Sequence, residues 1–189
     1  DEVVLVVRAA ADAGLRVVPQ STGHGAGPLA GRFDDAVLLR LSDFTGVTID
    51  PERRVARILG ATLWQDVAEA AAVHGLAAMH GSSPDVAAAG YLLGGGLSWY
   101  ARAHGLACNQ LVAAEVVLGD GTLVRTDADH HPDLFWAVRG GGGGFGVVTA
   151  LETRLLPVAD AYAGMLLWDG ARAAEVTAAW ARWTHGLAP

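Results

Sequence analysis

The chain has 189 residues, with 13 basic against 20 acidic side chains, a formal net charge of −7, 52% hydrophobic residues, 25 glycines and one cysteine. Such a composition describes one or at most two soluble globular domains with a substantial core, and an acidic chain without a basic run excludes nucleic acid and an anionic membrane surface as main partners. Every basic residue is arginine and Cys108 is alone, which excludes a Walker A or Schiff-base lysine, an intrachain disulfide, a Cys-x-x-Cys redox pair and a cysteine-rich zinc site.

Val3, Val4, Val7, Ala10 and Ala11 recur at helical spacing and Gly14 follows as a stop, so a helix feeds a strand at Leu15 to Val18. Gln20-Ser21-Thr22-Gly23-His24-Gly25-Ala26-Gly27 then forms a loop of alternating glycines around a histidine. Strands are predicted at Ala36 to Leu41, Val47 to Asp50 and Val55 to Leu59, the last two as a hairpin, and Thr62 is expected to cap a helix running to His74. The segment from Gly81 to Gly96 is too rich in glycine for a long regular element and reads as loop and short helix. Leu111 to Leu118 and Thr122 to Thr126 flank Gly119-Asp120-Gly121, a strong hairpin signal. A short helix at Asp129 to Val138 and a strand at Val147 to Leu155 follow, and Pro157 marks a boundary. Beyond it, Tyr162 to Trp168 is expected as a strand and Arg172 to His185 as an amphipathic helix.

No apolar run approaches the roughly 18 residues of a membrane span, and no basic segment followed by an apolar stretch opens the chain. The start at Asp1, inside a helical pattern, is what a fragment or processed product would show, and the compartment, cytoplasmic or secreted, is not set by it.

The loop around His24 is not a Rossmann fingerprint, because no helical periodicity follows its glycines. Its bare amides can cradle phosphate oxygens, and glycine lets a planar ring lie against the chain; a surface turn with a solvated histidine fits the same residues. Gly140 to Gly144 sit between Phe135-Trp136 and Phe145-Gly146-Val147-Val148, flanks that favour a packed backbone over a flexible linker. Asp127 to Asp133, with two histidines, imitates a metal cluster, but Pro132-Asp133 reads as a helix start and no metal is expected. No hydrolase motif stands out, Cys108 reads as a buried small hydrophobe, and His74, His80, His104 and His185 have no partner visible in the sequence.

Three segments in this order resemble the flavoproteins with a vanillyl-alcohol-oxidase, or PCMH-type, FAD domain, and among them the berberine-bridge-enzyme-like oxidoreductases. They are Gln20 to Gly27; Gly81-Ser82-Ser83-Pro84 to Gly96 with Arg102 to Leu106; and Asp133 to Arg139 through Phe145-Gly146-Val147-Val148-Thr149. The resemblance implies an α+β fold. A PCMH-type FAD-binding domain of two α/β subdomains would occupy 1–156 (about 1–45 and 46–156), followed at 157–189 by the truncated start of a substrate domain. It implies that FAD is bound by Gln20, Ser21, Thr22, Gly23, His24, Gly25, Ala26, Gly81, Ser82, Asp85, Gly90, Gly96, Asn109, Gly146 and Val148. His24 aligns with the histidine joined to the flavin 8α carbon; Ser83 stands where many relatives attach the ring a second time through cysteine, so a single attachment is implied.

The implied reaction takes a hydride from an alcohol, a sugar or a related small molecule to flavin N5 and then usually to molecular oxygen. The general base, commonly a tyrosine, is expected from the substrate domain, so the catalytic residues of this piece are unassigned and the fragment alone is expected to be inactive. Tyr91 and Tyr100 lie in the middle segment, where packing against the core is the expected role of each. A non-catalytic FAD-binding module and a cofactor-free glycine-rich interaction domain are the competing functions. Alanine richness and arginine in place of lysine point to a GC-rich bacterial gene.

Overall fold

A computed structural model describes residues 1–187. The chain divides into two compact units, Asp1–Ala159 and Asp160–Pro189. The first unit opens with helix α1 (Glu2–Asp12), whose Val7 and Ala10 are buried, and a short parallel sheet of β1 (Arg16–Gln20) and β2 (Ala36–Arg40). A five-stranded antiparallel sheet follows, built from β3 (Val47–Asp50), β4 (Val55–Leu59), β5 (Leu111–Val117), β6 (Leu123–Asp127) and β7 (Val147–Arg154) in the spatial order β3-β4-β7-β5-β6. Between β4 and β5 lie α2 (Trp64–Ala72), α3 (Ala88–Leu93) and α4 (Ala101–His104), and between β6 and β7 lies α5 (Pro132–Val138).

Alternation along the strands gives the sheet two faces. One face buries Ile58, Ala114, Val116 and Leu151 with Trp64 and Val67 of α2 and Leu92 of α3 as the main core. On strand residues outside this core, Arg57 pairs with Glu115 at 2.8 Å and Arg125 with Glu152 at 2.6 Å, two ion pairs that run diagonally across the ladder. A second, smaller core of Val7, Leu41, Ala61, Val117 and Val147 joins α1 and the end of β2 to one end of the inner strands β5 and β7. The strand β7 is buried along most of its length because it is the middle strand.

Two glycines next to β7 and β4 are explained by their contacts with the sheet backbone. Gly146, just before the strand, has φ +144°, and a Cβ there would stand 2.5 Å from the Val117 carbonyl oxygen, so the register of β7 against β5 requires glycine. After β4, Gly60 donates its N–H to the Thr149 carbonyl at 2.9 Å.

Several sequence expectations need correction. Thr62 does not cap α2, which starts at Trp64 with Leu63 as its N-cap residue. Its buried hydroxyl instead donates to the Gly46 carbonyl and accepts from the Gly46 N–H, both at 2.9 Å, which ties the entry of β3 to the exit of β4. The helix at 129–138 begins only at Pro132, because Asp127 Oδ1 takes the N–H groups of Asp129 and His130 and the Nδ1 of His130 in a turn. That carboxylate is held below its ordinary range mainly by the His130 side chain and is engaged in building the turn. Among the described residues no group of His, Cys, Asp or Glu is arranged to hold a metal ion. In the second hairpin only Gly121 of the Asp-Gly pair takes a positive φ, and Asp120 closes the turn by accepting from the Thr122 N–H.

In the second unit, 162–168 forms no strand. A strand exists only with a ladder partner, and the described residues of that unit contain no other extended segment to supply one. The helix there, α6 (Ala173–His185), forms as expected and opens with an Arg172–Glu175 ion pair.

Replacing Gly146 by alanine is expected to cost about 3 kcal/mol, since it adds both a backbone strain and a clash with a strand carbonyl. A chemical-denaturation midpoint equal to that of the wild type would show that β7 does not need the close approach.

Candidate cofactor site

The loop after β1 leaves from a fixed point, because the Gln20 carbonyl accepts the Leu41 N–H at 2.9 Å. Ser21 Oγ donates to the Gly60 carbonyl at 2.7 Å, binding the loop to the turn that also holds β7. Gly23 has φ +81°, a conformation that favours glycine, and the Gln20 side-chain amide lies directly beneath its Cα. The Ala26 N–H closes this turn on the Gly23 carbonyl, and a short 3-10 helix follows at Gly27–Leu29.

His24 projects from the turn, half exposed, with Nε2 3.3 Å from the Asp85 carbonyl oxygen and 3.9 Å from its carboxylate. The segment that carries Asp85 is itself pinned by α2, whose Trp64 and Gln65 N–H groups donate to the Val86 and Pro84 carbonyls. That helix therefore spends these first-turn donors on the chain and presents Asp85 beside His24. His80 Nδ1 lies 2.8 Å from the Gly81 carbonyl, at the other end of the segment.

The glycine run after α5 is tied down at its start, where the Gly142 N–H donates to the Leu93 carbonyl at 2.8 Å and a Cβ on Gly140 would touch Gly95, whereas Gly143 and Gly144 are exposed with open space beside them. From there Gly144, Phe145 and Val147 form one wall of a groove of about 360 Å³, whose other wall is Val7, Val17 and Pro19. Arg16 also borders this groove, but Asp35 engages it with two-atom contact, which raises the guanidinium pKa and lowers that of the carboxylate through their mutual hydrogen bond. The groove is thus apolar on its walls and glycine-lined at one edge.

Of the residues singled out from sequence, Ser21, His24 and Asp85 are brought together, and Gly60 links them to Val148, whose carbonyl lies 2.7 Å from a Cβ placed on Gly60. Gln20 supports the turn from below, Gly146 lines the groove, and Thr22, Gly25 and Ser82 are solvent-facing neighbours. Gly90 is exposed on α3 with open space beside its Cα, and Asn109 lines a different hollow of about 380 Å³ with Trp136, Arg139 and Gly140. Sequence reasoning missed Gly60, Val17 and Pro19; the Gly-Ala-Thr run directly after a predicted strand was the available signal for Gly60.

Amides on a glycine turn, the imidazole that this turn carries and a groove walled by apolar side chains fit a dinucleotide with a planar ring system. A family model described as FAD binding domain matches residues 1–127. The chain belongs to this family. FAD is accordingly its cofactor, and the expected likeness to flavoproteins with a PCMH-type domain, with its α+β fold, is borne out. Among curated relatives, (R)-6-hydroxynicotine oxidase of Paenarthrobacter nicotinovorans is 36% identical over 168 residues, covering 88% of this chain and 36% of that protein. The crystal structure of 6-hydroxy-D-nicotine oxidase from Arthrobacter nicotinovorans superposes with a TM-score of 0.76 at 36% identity over 82% of this chain and 34% of that one. Glucooligosaccharide oxidase from Acremonium strictum, a protein with a 6-S-cysteinyl, 8α-N1-histidyl FAD, gives 0.75 at 33% identity, covering 82% and 33%. The chain spans about a third of the length of these relatives. No helix among the described residues is long and apolar enough to cross a membrane.

Ser21→Ala is expected to lower stability by about 1 kcal/mol, the net worth of a partly buried hydrogen bond, with the Gly60 carbonyl left unpaired. Urea denaturation measures it; a loss of several kcal/mol or none would contradict this role for the hydroxyl.

Proposed function

We propose that residues 1–156 are the FAD-holding domain of an oxidoreductase, that 157–189 open its substrate domain, and that FAD is attached covalently through His24. The observation that carries this reading is the contact between His24 Nε2 and the Asp85 carbonyl. A carbonyl can only accept, so a hydrogen bond here calls for the proton on Nε2, and in that neutral tautomer Nδ1 keeps a free lone pair. The nucleophilic nitrogen is therefore Nδ1. Gly23 and Gly25 on either side give it room, and the absence of a thiol at Ser83 limits the attachment to one bond.

The turn amides from Thr22 to Gly25 would hold the pyrophosphate, with Ser21 fixing the turn from below and backbone donors in the place of lysine. The groove between Val17, Pro19 and Val147 would receive the adenine, an aromatic ring against apolar walls. Bound FAD supplies a two-electron acceptor that takes a hydride from a carbon bearing an alcohol, a sugar hemiacetal or a related donor, with molecular oxygen as the final acceptor in oxidases. The protein's share is to orient the ring through His24 and to exclude water beneath it; the base that takes the substrate proton belongs to the region after residue 156. That the relatives are oxidases of small molecules supports catalysis over a storage role.

Intact mass and in-gel flavin fluorescence after denaturation, on the full-length parent and on the 189-residue chain, test the reading. We expect an excess of one FAD that survives denaturation and vanishes in His24→Ala, which keeps non-covalent yellow colour. A label that persists in His24→Ala overturns the attachment site, and a parent that takes up no FAD overturns the function.

A further inference from the structure

The side chain of Tyr91 in α3 lies between two backbone segments of the candidate site. A Cβ on Gly81 would stand 3.0 Å from its Cε2 and 3.2 Å from its hydroxyl oxygen, and a Cβ on Gly96 would stand 2.4 Å from its Cε1. Trp64 meets the ring edge-on, with centroids 5.6 Å apart and planes at 86°. Glycine at 81 and 96 is thus explained first by the tyrosine ring and only second by a bound molecule.

The hydroxyl of Tyr91 is buried and has no hydrogen-bond partner. A phenol in that state is a standing cost that phenylalanine, with the same ring, would not carry. The groups that flank it are the ends of the cofactor segments: Gly81 begins the stretch that carries Asp85 to His24, and Gly96 follows α3. An acceptor that arrives with a ligand resolves the conflict. Burial also raises the phenol pKa, so the group remains a neutral donor.

We propose that Tyr91 is a cofactor-binding residue whose hydroxyl donates a hydrogen bond to an acceptor atom on the edge of the isoalloxazine ring. This rests on the reading that residues 1–156 hold FAD. A neutral donor suits a ring carbonyl or nitrogen better than a phosphate, which the glycine turn near His24 is equipped to take. The same contact favours the reduced ring, where that edge carries more negative charge, so Tyr91 also raises the midpoint potential.

The test uses Tyr91→Phe, which keeps the ring between Gly81 and Gly96 and removes only the oxygen. In the full-length parent carrying His24→Ala, where binding is reversible, the second substitution is expected to weaken FAD about tenfold by fluorescence titration and to shift the visible absorption band. The FAD-free protein should keep or gain thermal stability, because its hydroxyl has nothing to lose. Equal affinity with an unchanged spectrum overturns the proposal, and so does a loss of stability in the FAD-free protein as large as in the loaded one, which would mark a purely structural hydrogen bond. If His24→Ala retains no FAD, the midpoint potential of the covalently loaded protein decides: a more negative value in Tyr91→Phe supports the proposal and an identical one overturns it. A parent that takes up no FAD at all overturns the functional reading and this proposal with it.

Discussion

Strand β7 pairs antiparallel with β4 on one side and β5 on the other, and the loops proposed to face the cofactor hang from that double pairing. Gly60, at the end of β4, donates to β7 through Thr149 and accepts from Ser21 through its own carbonyl. A single residue thus transmits the position of the central strand to the turn that carries His24. The glycine before β7 does the same on the opposite side, since its approach to the Val117 carbonyl sets where Phe145 and Val147 meet the groove.

The proposed site would meet an anion through backbone donors and not through a cation. Lysine is absent from the chain and Arg16, at the groove, is already engaged by Asp35. What the loops offer is backbone N–H groups on glycine turns, donors that cost no side-chain entropy when a ligand arrives. An acidic protein can bind a dinucleotide in this way because partial charges at hydrogen-bond distance outweigh a diffuse net charge that salt screens.

Much of this was legible in the residues. The two hairpins, the capping glycine after α1, the strand at Val47 to Asp50 and the helix around Phe135 follow from local pattern and turn chemistry, and the structure has them. The partners of single polar groups were not legible. Thr62 looked like a cap because threonine before an apolar helical run usually is one, yet its hydroxyl serves Gly46, sixteen residues back, an interaction decided by strand pairing. The predicted strand at 162–168 failed for the opposite reason: its composition suits a sheet, but no ladder partner exists among the described residues of its unit. At the site, the glycine-rich segments were found as segments, while the reason for glycine at 81 and 96 lay in a tyrosine ten and five residues away that no spacing rule connects to both.

The strand order has a consequence for how the domain is made. β7 is the last strand of the sheet in sequence and the middle one in space, inserted between β4 and β5, whose partners it meets across separations of nearly a hundred and about forty residues. Until residue 154 has left the ribosome, the sheet is two separate hairpins with an unfilled gap, and contacts of such long range form late. The turn around His24 takes its final anchor from that gap's closing, through Gly60. The ability to receive the flavin therefore belongs to the finished domain as a whole, although the residue that is proposed to bond it precedes every strand of the large sheet.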